Sequence, residues 1–154
     1  MYRSGMPSVS ALLICIVVGI ADGDTLTARC DAAADASLQT VKVRLAEVDA
    51  PEHHQPFGTR SRENLAALCF RQPAEVRPVA TGGLDRYGRT IAHVICNGID
   101  ANNEQVRAGM AWVYDRYVTD RRLYSLQDDA RVEHRGLWSD AQPVAPWEWR
   151  RSVR

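Results

Sequence analysis

Lysine is almost missing from this 154-residue chain: Lys42 is the single one, and every other cation is arginine. An excess of either charge is missing too, because 19 Lys and Arg balance 19 Asp and Glu. That excludes a strongly basic surface gathering polyanions by net charge alone. Any phosphate contact must come from individually placed arginines, whose planar fork suits bidentate binding. A GC-rich genome would also favour arginine codons and the many alanines. Cysteine is sparse: Cys15, Cys30, Cys69 and Cys96 show no CxxC or Cys/His spacing, which excludes a zinc module and a dense disulfide scaffold. In an exported protein one pair among Cys30, Cys69 and Cys96 would bridge; otherwise the thiols stay reduced as small buried apolar groups. No apolar run reaches the roughly 20 residues that span a bilayer. The longest, residues 9–20 after Arg3, reads as a short signal-peptide core and equally as a buried first strand. Export is therefore the expectation, with a leader over 1–16, one domain over 17–140, and a Trp/Arg-rich tail over 141–154.

What is present is ordinary globular material, 45% hydrophobic and 25% charged, enough for one domain with its own core. Residues 12–20 are apolar and β-branched, Asp22-Gly23 signals a hairpin, and 25–30 forms the returning strand. Residues 40–48 alternate, with Val41, Val43 and Leu45 on one face and Lys42 and Arg44 on the other. A helix is predicted over 59–70, strands over 75–80 and 89–96, and a short helix capped by Asn102 with Gln105 and ending at Gly109. Asp120 caps a last helix carrying Leu123, Leu126 and Ala130. Strands, helix, strands, two helices describe an α+β domain in which a five-stranded barrel is a natural solution.

Three clusters carry chemistry. In Asp22-Gly23-Asp24-Thr25 the turn accounts for the first two residues but not for Asp24, since aspartate is disfavoured where the next strand starts. A carboxylate there suits a hard metal ion. In the stretch 44–52, Asp49 and Glu52 flank Pro51 and can converge on a metal ion or an activated water, with Arg44 mid-strand beside them; the bland alternative is a solvated strand end. In Asp85-Arg86-Tyr87-Gly88-Arg89, Gly88 frees the backbone to turn and Arg89 can reach a phosphate; the bland alternative is a surface ion pair with Asp85. Together they match what phosphodiester cleavage requires: a Lewis acid, a group to position water, and cations to neutralise a five-coordinate transition state.

The segments VVGIADGDTL, VRLAEVDAPE, DRYGRT and NNEQVRAGMAWV, in that order, resemble the staphylococcal nuclease family from Val17 to about Trp138. The resemblance implies an OB-fold five-stranded β-barrel capped by three α-helices, Ca²⁺ dependence, and cleavage of DNA and RNA to 3′-phosphate products. It places Asp24, Asp49 and the Ala50 carbonyl on the metal, and Glu52 on the water usually assigned to general-base attack. Arg44 and Arg89 fall on the catalytic arginines, and Tyr117 lines the nucleotide pocket, where Asp115 replaces a second aromatic. Tyr87 is read as packing. The tail PVAPWEWRRSVR resembles exported bacterial relatives.

The pair His53–His54 is read as solvated, because a hard cation prefers oxygen. Trp138, Trp147 and Trp149 are expected to pin the tail to the barrel rather than stack bases. Arg150, Arg151 and Arg154 are either added phosphate affinity or a frayed basic end. A silent binding module on the same fold has no need for Asp24, Arg44, Asp49, Glu52 and Arg89 together. A single-strand binder wants exposed aromatics on strands that here are aliphatic. A monomer without a membrane partner is expected.

Overall fold

The computed structural model describes residues 12–31, 38–79, 84–115 and 118–153. Alternation of apolar and polar residues sets the strands. β1 (Leu13–Asp22) buries Cys15, Val17 and Ile20, β2 (Thr25–Asp31) buries Leu26, Ala28 and Cys30, and β3 (Leu38–Leu45) buries Val43 and Leu45. A two-residue strand, β4 (Val48–Asp49), follows the turn at Ala46-Glu47. Helix α1 (Gly58–Cys69) leads to β5 (Pro73–Pro78) and β6 (Thr90–Cys96). Next come β7 (Ile99–Asp100), α2 (Ala101–Arg107) and β8 (Trp112–Val113). The chain closes with α3 (Arg122–Val132), a 3₁₀ turn (Gly136–Ser139) and α4 (Pro146–Ser152).

The main sheet runs β3-β2-β1-β5-β6-β7, and a parallel β3–β6 pairing closes five of these strands into the barrel of an OB-fold. Closure matters for function because it brings Arg44 opposite Ile91, near the start of β6 that Arg89 precedes. The barrel interior, α1 and α2 share one continuous apolar core. Four α-helices, not three, pack on the barrel; the fourth is built from the tail. None of the described helices is long and apolar enough to cross a membrane.

Three expectations change on contact with the structure. All four cysteines are paired, Cys15 with Cys30 across β1 and β2, and Cys69 with Cys96 between the ends of α1 and β6. The reduced state is overturned, and Cys15, which falls in the expected leader, bonds to Cys30 because β1 and β2 set the two opposite each other. Residues 13–16, assigned to the leader, lie in β1 and pair with β5 as well. The cap of α2 is Asp100, whose carboxylate accepts the Asn103 N–H at 2.9 Å. Asn102 and Gln105 are instead completely shielded. The Asn102 amide donates to the Ala46 and Ala92 carbonyls and accepts from the Val94 N–H, stitching β3 to β6.

Candidate active site

The β1–β2 hairpin, the β3–β4 corner and the entry to β6 deliver the predicted residues to one end of the barrel. Asp24 is 7% exposed, and one of its oxygens accepts the Ala50 N–H at 2.9 Å, so the hairpin is fastened to the β4 corner. Its other oxygen accepts the Thr25 hydroxyl at 2.9 Å. Such close packing needs glycine at 23: a Cβ there would lie 1.8 Å from Ser61 Oγ and 3.0 Å from the Ala50 Cβ. Gln105 completes the fastening from below, donating to the Gly23 carbonyl at 2.7 Å and to the Ser61 carbonyl at 3.1 Å.

Asp49 sits in β4, paired with Trp112 of β8, and is 1% exposed. Burial pushes its carboxyl above the usual range, a hydrogen bond from Arg150 pulls it back, and the Asp24 charge adds to the rise. Glu52 follows Pro51 and is more open, its side chain 41% exposed; its N–H is held by the Gln55 amide oxygen at 3.0 Å. Arg44 donates to the carbonyls of Leu45 and Val48 at 2.6 and 2.7 Å, which fixes its guanidinium over the corner. From there one nitrogen lies 3.4 Å from Asp49 and 3.7 Å from Asp24.

Arg89 is brought to the same hairpin by a relay. Asp85 accepts the backbone N–H groups of Tyr87 and Arg89, both at 2.9 Å, and holds the Arg89 Nε at 2.7 Å. The far end of the guanidinium reaches the Thr25 hydroxyl at 3.3 Å, so Arg89 ends beside Asp24. The Asp85 pair is therefore not an idle surface contact but an orienting clamp. Tyr87 departs from its predicted packing role: it is 65% exposed, with Arg86 and Arg89 each 5.1 Å from its ring centre. A tyrosine in an exposed turn buries only what its neighbours cover. Tyr117 lies outside the described residues.

Several residues at this end hold places that the sequence reading did not assign to them. Asp22, assigned to the turn alone, has its carboxyl pushed up by burial and by the charges of Asp24 and Glu52, placing it in the same electrostatic field. Glu47, in the turn that follows β3, is a buried anchor. Its carboxylate accepts the N–H groups of Thr119 and Asp120 at 2.8 and 3.1 Å and meets His93 at 3.0 Å. It adopts φ 69°, an uncommon backbone conformation for a non-glycine residue that these buried contacts hold in place. The largest surprise is Arg150 of α4, which donates to Asp49 at 2.7 Å and to Glu52 at 3.0 Å. Pro146 at the first helical turn was its available signal. Trp147 of α4 packs on Trp112 and Tyr114, each 5.7 Å between ring centres, and Trp112 packs on Trp138 at 4.5 Å. Trp138 and Trp147 thus pin the tail as expected.

Donor chemistry decides what this cluster can hold. Asp24 and Asp49 offer hard carboxylate oxygens in a dry corner, fitting a cation such as Ca²⁺ that takes oxygen ligands. The Arg150 guanidinium bridging Asp49 and Glu52 is itself a cation seated on these oxygens. Among the described residues no group of three or more His, Cys, Asp and Glu could hold a metal ion. Backbone carbonyls and water would then have to complete any coordination shell. His53 and His54 are exposed, with their rings 4.7 Å apart, as solvated loop residues should be.

A family model described as staphylococcal nuclease homologue matches residues 42–140. An uncharacterized endonuclease of Haemophilus influenzae is 42% identical over 140 residues, covering 91% of this chain and 74% of that protein. The micrococcal nuclease of Shigella flexneri is 40% identical over 149 residues, covering 90% of this chain and 80% of its own length.

Proposed function

The chain belongs to the staphylococcal nuclease family, and from that premise we propose that it is a Ca²⁺-dependent endonuclease hydrolysing DNA and RNA to 3′-phosphate products. The observation that carries the reading is the convergence of Asp24, Asp49, Glu52, Arg44 and Arg89 at one end of the barrel. A pure binding module on this fold would not require carboxylates and guanidiniums in one dry corner.

Asp24, Asp49 and the Ala50 carbonyl are the residues that would hold the metal. When bound, it supplies Lewis acidity to a phosphate oxygen. The chain's own groups account for the rest. Glu52 is open enough to meet solvent and accepts a proton from the attacking water as it orients it. Arg44, locked by two backbone carbonyls, and Arg89, locked by Asp85, face the phosphate as preorganised cations. Their value lies in opposing the charge that grows in the five-coordinate transition state, with little reorganisation at that moment. Breaking the bond to the 5′ oxygen leaves phosphate on the 3′ end. Tyr117 is assigned to the nucleotide pocket, as the family resemblance implies.

Both disulfides support the further reading that the protein is exported and works in an oxidising compartment. Arg44→Ala, Arg89→Ala and Glu52→Gln are each expected to lower turnover by several orders of magnitude with the fold intact. End-labelling of the products checks the polarity: 5′-hydroxyl ends are expected, and 5′-phosphate ends would refute the assigned bond. Full activity in any one variant removes that residue from the mechanism.

A further inference from the structure

The site proposed for a metal already holds a cation belonging to the chain. Arg150 spans two of the corner's acidic residues, with one nitrogen 2.7 Å from Asp49 and the other 3.4 Å from Asp49 and 3.0 Å from Glu52. Asp49 is 1% exposed, so this contact meets a carboxylate that solvent does not reach. The guanidinium arrives from a docked element. Trp147 packs on Trp112 and Tyr114, and the Gln55 amide, three residues beyond Glu52, donates to the Val144 carbonyl at 2.6 Å. Arg150 is held firmly charged by its hydrogen bond to Asp49 and by both carboxylates. Its side chain is nevertheless 38% exposed, which leaves it a way out toward solvent.

A hard divalent ion takes six to eight oxygens at roughly 2.3–2.6 Å, and an arginine nitrogen on the same carboxylate edge blocks that approach. A divalent ion on Asp49 would stand within a few ångströms of the Arg150 guanidinium, which meets that carboxylate at 2.7 Å, and the two like charges oppose each other there. We propose that Arg150 is a tethered counter-ion of the metal site: it neutralises Asp49 and Glu52 while no metal is bound, and a divalent ion binds only by displacing it. The proposal rests on the metal reading of Asp24 and Asp49. It makes the tail a brake on metal affinity, and it leaves a freed guanidinium beside the site, where a nucleic-acid phosphate is its natural next partner. Metal and polyanion would then favour each other's binding through one side chain.

Calorimetric titration of Ca²⁺ into the wild type, Arg150→Gln, Arg150→Lys and Arg151→Gln tests this. Arg151 is exposed on the same helix, so its variant repeats the charge change away from the carboxylates. Charge-assisted hydrogen bonds of this kind predict Ca²⁺ binding about ten-fold tighter or more in Arg150→Gln. Arg150→Lys should fall between, and Arg151→Gln should stay near the wild type. Side-chain N–H signals of Arg150, identified by their loss in Arg150→Gln, should shift when Ca²⁺ saturates the wild-type protein. Equal affinities in the wild type and Arg150→Gln, or Arg150 signals unmoved by saturating Ca²⁺, would overturn the counter-ion role while leaving the metal site standing. Absence of Ca²⁺ binding in both folded proteins would overturn the metal reading and this proposal with it.

Discussion

Replacing Gln105 with methionine keeps an unbranched side chain of similar reach and removes only its hydrogen bonds. Gln105 is 0% exposed; its amide donates at 2.7 Å to the Gly23 carbonyl and at 3.1 Å to the Ser61 carbonyl, and its oxygen accepts from the Asn64 amide at 2.6 Å. The Ser61 carbonyl lies inside α1 and Asn64 is half-exposed, so each has other recourse. The Gly23 carbonyl sits in a buried turn and loses most. One buried group left unsatisfied costs about 1–3 kcal/mol, and the two weaker losses add about 1 kcal/mol together, which gives about 2–4 kcal/mol. For a protein of this size that corresponds to a fall in Tm of roughly 5–15 °C. Because Gly23 carries Asp24, Ca²⁺ affinity should fall as well, although Gln105 is not itself among the proposed ligands. Urea denaturation followed by tryptophan fluorescence measures the first effect and calorimetric titration the second. A stability loss below about 0.5 kcal/mol, the range of an ordinary surface substitution, would refute the claim that this amide fastens the hairpin to the helices.

Other substitutions probe separate parts of the account. Gly23→Ala forces a Cβ to within 1.8 Å of Ser61 Oγ, so the hairpin must move; activity should drop more than stability, as paired kinetic and thermal measurements would show. Reduction of the Cys15–Cys30 and Cys69–Cys96 bridges, which close separations of 15 and 27 residues, should each remove about 3 kcal/mol by the chain-entropy estimate, seen as a lower urea midpoint with reductant. Asp85→Asn should lower turnover about ten-fold by loosening Arg89, the loss of roughly one oriented charged hydrogen bond. Burial pushes Asp85 up, but N–H groups of Arg89 and Tyr87 and the Arg89 guanidinium more than offset it, leaving the carboxyl below its ordinary 3.8. A depressed carboxyl stabilises the fold above that ordinary value and ceases to as pH falls through the lower folded value. Acid unfolding of Asp85→Asn should therefore be less steep below pH 3.8 than that of the wild type.

Local pattern made most of the fold readable. The alternation around Val41, Val43 and Leu45 and the turn at Asp22-Gly23 depend on neighbours in sequence; β1 and β2 form where expected, while the strand expected over 40–48 ends at Leu45, where the turn at Ala46-Glu47 separates it from β4. The barrel with its helical cap, and the gathering of Arg44, Asp49 and Glu52 at one end of it, followed from motifs of contiguous residues. What escaped depends on distant partners. Asn102 has the chemistry of a cap, and only the approach of Ala46, 56 residues away, turns its amide inward. Cys15 pairs because β1 lies beside β2 in a register that no spacing rule reports. Arg150 meets Asp49 across 101 residues, and its place follows from tryptophans docking a helix that a basic tail did not advertise. Glu47 becomes an anchor only because Thr119 and Asp120, 72 and 73 residues on, come to it.

Digestion of single-stranded and duplex DNA by the purified protein, first with Ca²⁺ and then with EGTA, tests the central claim most directly. The account predicts rapid cleavage of both substrates with Ca²⁺ and its collapse on chelation. A folded protein that leaves both substrates intact in Ca²⁺, or cuts them equally well in EGTA, would contradict it.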